Sequence, residues 1–197
     1  MVPAASRRDE ILAAAARMFA ARGFHGVGMD EIGAAAGISG PALYRHFPGK
    51  HALLAELLLP ISERLLTEGR RRAEPAVAAG EPAAALDALV RWHIDFALDQ
   101  PDVIAVQDRE LDNLPAEVSR EVRWLQRRYV EEWVRVLLAL NPGLDGAAAR
   151  AAVHAAFGLL NSTPHSAVGL SREQMATLLR EMALAALRAA APAPPAR

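Results

Sequence analysis

Residues 37–50, GISGPALYRHFPGK, bring a phenol, a guanidinium, an imidazole and an ammonium together in Tyr44, Arg45, His46 and Lys50. The hydroxyl, imidazole and ammonium can bond phosphate oxygens, and a guanidinium can make a paired contact with the edge of guanine. Gly40, Pro41 and Ala42, just before them, are small, which suits close approach to a nucleic-acid groove. Such a surface needs a short, firmly anchored helix. Ser39 can cap its start with a hydroxyl, and Pro41 falls in the first turn, where a missing N–H costs no bond. Leu43 and Phe47 are four apart and can anchor one face inward. Tyr44 either points outward or lies partly buried against a neighbouring helix with its hydroxyl free.

Two further helices must hold this one. Ser6 with Asp9 has the form of a capping box, and Ile11, Ala15, Met18 and Phe19 recur at helical spacing until Gly23 stops the run. Residues 29–36 form a second short helix, with Gly33 and Gly37 placed where two helices cross closely and the chain turns. Three helices in fewer than 50 residues, the last two joined by a glycine-containing turn, fit a helix-turn-helix.

The ordered set is an Ala-rich helix with Phe19, Gly23-Phe24, Met29-Asp30-Glu31-Ile32, Ala36-Gly37-Ile38-Ser39, Leu43-Tyr44-Arg45-His46-Phe47, then Lys50 and Leu53. With it, the first 55 residues resemble the DNA-binding domain of the TetR family of bacterial transcriptional regulators. The resemblance implies an all-α protein of about nine helices. Residues 1–50 would be the DNA-binding domain and 51–190 a larger helical domain that binds a small-molecule effector and forms a homodimer. It implies that Tyr44, His46 and Lys50 contact the DNA backbone while Gly40, Pro41, Ala42 and Arg45 face base edges. It implies a repressor on a palindromic operator, released by its effector. One position departs from the pattern: the family usually has Ser or Thr where this chain has Gly28, which can cap a helix but has no hydroxyl for a phosphate.

Beyond residue 50, a fourth helix is expected over 51–72, followed by a loop over 73–82. Pro60 inside that helix is either a lever between the two parts or a static bend. A fifth helix over 83–99 puts Leu86, Leu89, Val90, His93, Phe96 and Ala97 on one face. A short helix follows Pro101. A long one runs from Pro115 to residue 140 with Val122, Leu125, Tyr129, Trp133, Val136 and Leu140 inward. An Ala-rich helix covers 145–161, and the last, over 171–190, presents Met175, Leu178, Leu179, Met182, Ala186 and Leu187. Residues 191–197, APAPPAR, are expected to be a disordered tail. Trp92, His93, Phe96, Trp124, Tyr129, Trp133, Phe157 and Asn161 are the candidates for lining an effector pocket between helices; the other reading of any one of them is plain core packing. Segments 108–111 (DREL) and 161–165 (NSTPH) resemble a subgroup associated with apolar or acyl-type effectors. Small residues such as Ala148, Ala152 and Ala155 make the last two helices the expected dimer interface.

Composition sets outer limits. The chain has 197 residues, 52% hydrophobic and 23% charged, with no cysteine, which excludes disulfides, thiolate catalysis and Cys-ligated metals. Net charge is −1, yet residues 1–50 hold six Arg/Lys against four acids, leaving sixteen against nineteen in the remainder. Lys50 is the one lysine beside 21 arginines, a compact point charge at a phosphate-facing position. An enzyme is the main competing class, but there is no Gly-rich phosphate loop, nucleophile elbow or His-x-x-x-His pair, so no cofactor or metal is expected. The uncharged stretch 151–171 contains His154, Asn161, Ser162, Thr163, Pro164 and His165, which a membrane-spanning helix would not readily accept, and no signal peptide is recognisable. The expected location is the cytoplasm.

Overall fold

The computed structural model describes residues 6–166 and 169–190, and everything described is helix, turn or connection. Along the chain run α1 (Arg7–Arg22), α2 (Met29–Ala35), α3 (Gly40–His46), α4 (Lys50–Ala78), α5 (Pro82–Asp99) and α6 (Pro101–Glu110). A single 3-10 turn (Leu111–Asn113) follows, then α7 (Ala116–Leu140), α8 (Gly146–Leu160), α9 (Thr163–Ser166) and α10 (Arg172–Arg188). The expected tail at 191–197 lies outside the described residues. No described helix is long and apolar enough to cross a membrane.

The chain divides into two compact units, residues 1–61 with 102–123, and residues 62–101 with 124–197. The first unit therefore reaches past residue 50, the expected end of the DNA-binding domain, and takes in α6. The division falls after Ile61, the residue next to Pro60, which is exposed inside α4.

In the first unit, α1 starts on a reciprocal cap: Asp9 N–H donates to the Ser6 hydroxyl at 3.2 Å, and Ser6 N–H donates to the Asp9 carboxylate at 3.0 Å. Ile11, Ala15, Phe19, Phe24, Ile32, Leu43, Phe47, Leu53 and Leu54 form its core. The crossing of α2 and α3 depends on Gly33 and Gly37. A Cβ on Gly33 would stand 3.2 Å from the Ile38 carbonyl oxygen, and Gly37 turns the chain at φ +68°.

In the second unit α5 packs against α10 and α8. Asp87 on α5 accepts from both Arg180 (2.6 Å) and Arg91 (2.8 Å), and Arg172 on α10 reaches Asp95 and Asp99. One expectation needs correction. The fourth helix does not end at residue 72 with a loop beyond; it continues to Ala78 through Pro75. Pro75 comes in the last turns, where it forfeits one bond, and the alanines after it are good helix formers. The stop is supplied by Gly80, at φ +72°. On α10, Met175, Leu179 and Leu187 are buried, and Leu178, Met182 and Ala186 are exposed, on the helix expected to take part in pairing with a second copy. The buried row there is narrower than an apolar count suggests.

Candidate functional site

Helix α3 is seven residues long and is held by its two inward anchors, Leu43 (0% exposed) and Phe47 (1%). Ser39 has the extended backbone of an N-cap, but its hydroxyl makes no capping bond, contrary to expectation; its carbonyl instead accepts the Ala42 and Leu43 N–H groups at 3.0 Å each. Of the predicted DNA-facing residues, Pro41, Tyr44, Arg45 and His46 are exposed, and Gly40, Ala42 and Lys50 half-buried. Tyr44, at 51% exposure, takes the outward alternative. A Cβ on Gly40 would stand 2.6 Å from the exposed Asp30 carboxylate, which would have to turn aside to admit it.

Lys50 has a task the sequence did not reveal. Its ammonium donates to the Phe24 carbonyl at 2.9 Å and stands 4.7 Å from the centre of the Phe24 ring, so it fastens the start of α4 to the turn after α1. One of its three N–H bonds is thereby used and two are left for a phosphate. Arg8 was also missed. Its guanidinium donates to the His46 carbonyl (3.1 Å), pairs with Glu56 (2.9 Å) and lies 4.3 Å over the Phe47 ring, tying the end of α3 to α1 and α4. At the departure point, Gly28, the backbone N–H donates to Glu31 at 2.7 Å, giving one half of a capping box. That bond, together with the Arg22 guanidinium, holds the Glu31 carboxyl below its ordinary range.

All eight pocket candidates lie in the second unit, and six of them come together there. The rings of His93 (α5), Tyr129 and Trp133 (α7) lie 5.9, 6.0 and 6.0 Å from one another, and Phe157 (α8) is 4.9, 5.7 and 4.9 Å from the three. Phe96 meets His93 edge-on at 5.8 Å, and Asn161, the cap residue of α8, bonds His93 Nε2 at 2.8 Å through Oδ1. Trp92 adjoins this group but is engaged elsewhere: its indole N–H donates to the Leu65 carbonyl (3.2 Å), and Arg72 covers its ring at 4.3 Å. Trp124 is apart from it, 52% exposed on α7. The inward row of that helix leaves residue 124 out, so its aromatic character was the misleading signal.

Burial dominates the electrostatics. It pushes the His93 imidazole down to about 4, outweighing the opposing bond to Asn161, so the ring is neutral. It raises the Tyr129 hydroxyl well above the ordinary phenol value, against a weaker opposing hydrogen bond with the neighbouring Trp133 indole. Among the described residues, three buried polar atoms lack a hydrogen bond of good geometry: His93 Nδ1, the Tyr129 hydroxyl and Trp133 Nε1, the last two being each other's weak partners.

Gly69 on α4 makes room for this cluster, and a lone glycine inside a helical pattern was the available clue. A Cβ there would stand 2.8 Å from Tyr129 Cε2. Helix propensity favours Gly69→Ala by up to about 1 kcal/mol, but overpacking a buried ring costs about 1–3 kcal/mol. The variant should therefore be the less stable protein by urea denaturation; a higher midpoint would show that the ring yields freely. Thr163 was likewise missed as an anchor: its buried hydroxyl donates to the Ala97 carbonyl at 2.8 Å, fixing the NSTPH segment on α5.

Among the described residues no group of three His, Cys, Asp or Glu is placed to hold a metal ion.

Residues 11–57 match the profile of the bacterial regulatory proteins, tetR family, and residues 79–187 that of the tetracyclin repressor-like C-terminal domain. The transcriptional repressor KstR2 of Rhodococcus jostii is 32% identical over 135 residues, 68% of this chain and 64% of its own length. The transcriptional activator FasR of Mycolicibacterium smegmatis is 44% identical over 63 residues, 32% of this chain and 27% of its own length. The chain thus matches less than two thirds of either relative. A crystal structure of a TetR-family transcriptional regulator from Bordetella parapertussis superposes with a TM-score of 0.78 at 25% identity, covering 90% of this chain and 93% of that one.

Proposed function

The chain belongs to the TetR family of bacterial transcriptional regulators, and from that premise we propose that it is a repressor that binds a palindromic operator as a homodimer and is released by a small, largely apolar or acyl-type effector. The family is one of DNA-binding regulators and not of enzymes. The observation that carries the reading is the outer face of α3, where Tyr44, Arg45 and His46 stand exposed on a helix whose other side is anchored by Leu43 and Phe47. Tyr44, His46 and the two remaining N–H bonds of Lys50 would hold phosphates, and Arg45 would read a base.

Arg45→Ala should cost about 1–3 kcal/mol of operator binding and relax preference at one base position, while Tyr44→Ala weakens binding to all sequences alike. Titration of the variants against a selected operator and single-base changes of it checks this. Unchanged affinity in both variants would refute the placement of the reading surface.

Pairing of two copies has a geometric purpose, since two recognition helices about 34–36 Å apart address successive major grooves. Of the alanines expected there, Ala155 is exposed and Ala148 and Ala152 are half-buried on α8; with Leu178 (42%) and Met182 (47%) on α10 they would supply an apolar face for it. The effector reading draws on the aromatic cluster of the second unit and places the protein in the cytoplasm, where DNA and metabolite meet. Repression is tested by deleting the gene: the target promoter should become more active, and a fall in its transcription would reverse the assignment.

A further inference from the structure

The aromatic cluster has a hydrogen-bonding inventory that specifies what it can hold. Asn161 Oδ1 can only accept, so His93 Nε2 carries the proton that bridges the 2.8 Å between them. The imidazole is neutral, because burial pushes it down to about 4. His93 Nδ1 is therefore a bare acceptor. The Tyr129 hydroxyl can donate, and the Trp133 indole N–H can only donate. All three atoms are buried and without a partner of good geometry, on side chains 4%, 5% and 0% exposed. Their rings form a triangle with sides of 5.9, 6.0 and 6.0 Å. Unpartnered buried polar atoms are uncommon in native proteins, and three on rings packed against one another call for an explanation that a bound ligand would supply.

A carboxylate or phosphate would enter a group of side chains that carries no positive charge to offset its desolvation. A ketone or ether oxygen could accept from Tyr129 and Trp133 but would leave His93 Nδ1 unsatisfied. A hydroxyl has the complementary inventory for all three: one hydrogen to give to Nδ1 and an oxygen that can receive the phenol and indole hydrogens. We propose that the His93, Tyr129 and Trp133 triangle binds the hydroxyl group of an uncharged, otherwise apolar effector. This rests on the reading of the second unit as an effector-binding domain and narrows its ligand. Phe157, which touches all three rings and alone among the four is not fully buried, supplies the apolar wall past which the ligand must come.

The test uses the full chain with three probes of matched size: 1-octanol, octanoate and 1-methoxyheptane. Tryptophan fluorescence reads affinity, and nitrogen NMR of labelled histidine reads His93 Nδ1. Octanol should bind at least about tenfold more tightly than the other two, the worth of one hydrogen bond. It should also move the Nδ1 resonance from its lone-pair position toward a hydrogen-bonded one, which the ether should not do. Tyr129→Phe, checked for an intact melting transition, should weaken octanol and the ether alike, since both accept from the phenol, whereas His93→Phe should weaken octanol by a similar factor and leave the ether unchanged; Trp133→Phe is the second variant should Tyr129→Phe fail to fold. Equal or tighter binding of octanoate or ether, a stationary Nδ1 signal, or no octanol binding each overturns the proposal. Release of operator DNA by octanoate and not by octanol overturns the hydroxyl assignment and leaves the effector-domain reading standing. Octanol held on these residues without any change in DNA affinity upholds the site and removes its regulatory role.

Discussion

Phe47→Ala should destabilise the first unit by about 3–5 kcal/mol, the usual cost of removing a fully buried phenylalanine. Phe47 is 1% exposed, it ends α3, and its ring lies under the Arg8 guanidinium at 4.3 Å. The side chain is therefore both core and support, and its loss also strips Arg8 of the surface on which it reaches the His46 carbonyl and Glu56. Because α3 has only seven residues, it cannot persist without tertiary anchors. Operator binding should fall in parallel with the fraction of molecules whose first unit is folded. The check is a denaturation curve alongside DNA titration. A stable variant with normal DNA affinity would show that α3 is held by Leu43 and Lys50 instead.

Acidification should weaken the second unit through His93. Its folded value of about 4 lies below the ordinary 6.5, because burial penalises the charged ring. The unfolded chain therefore takes up a proton that the folded chain refuses. The contribution is fully present above pH 6.5 and is lost as pH falls toward 4, a total of about 3 kcal/mol at 1.36 kcal/mol per unit. Asp87 and Glu132 act in a lower window. Burial alone would raise both, but hydrogen bonds from Arg180 and Arg91, and from Arg70 and Arg135, outweigh it, so their contributions are lost below the ordinary 3.8 and 4.5. Urea midpoints between pH 7 and 4.5 should thus fall in the wild type, and the fall should be much reduced in His93→Phe. Parallel profiles would place the acid sensitivity elsewhere.

The first unit was largely legible because its signals are local. Ser6 and Asp9 fixed the start of α1, Gly33 and Gly37 the crossing and turn, and Leu43 and Phe47 the buried side of α3. What escaped depends on groups far apart in the chain. Arg8 meeting the end of α3, and Lys50 bonding a carbonyl 26 residues earlier, leave no mark in helical periodicity. The second unit shows the same division. The inward rows of α5 and α7 were readable from spacing, so His93, Tyr129 and Trp133 could be named together. The exposure of Trp124, and of Leu178 and Met182 on α10, could not be read from apolar character, because a helix buries only the stripe its neighbours cover. The loop expected over 73–82 is helical as far as Ala78, because the stop comes from Gly80 rather than from Pro75 within the last turns.

The central claim, that the outer face of α3 reads duplex DNA, is tested most directly by selecting a binding sequence from random DNA and titrating it against the protein at increasing salt. The account predicts a two-fold symmetric sequence whose affinity falls steeply and linearly in log–log form as salt rises, with Arg45→Ala losing discrimination at one symmetric pair of positions. Recovery of no preferred sequence, together with binding indifferent to salt and to Arg45, would contradict it.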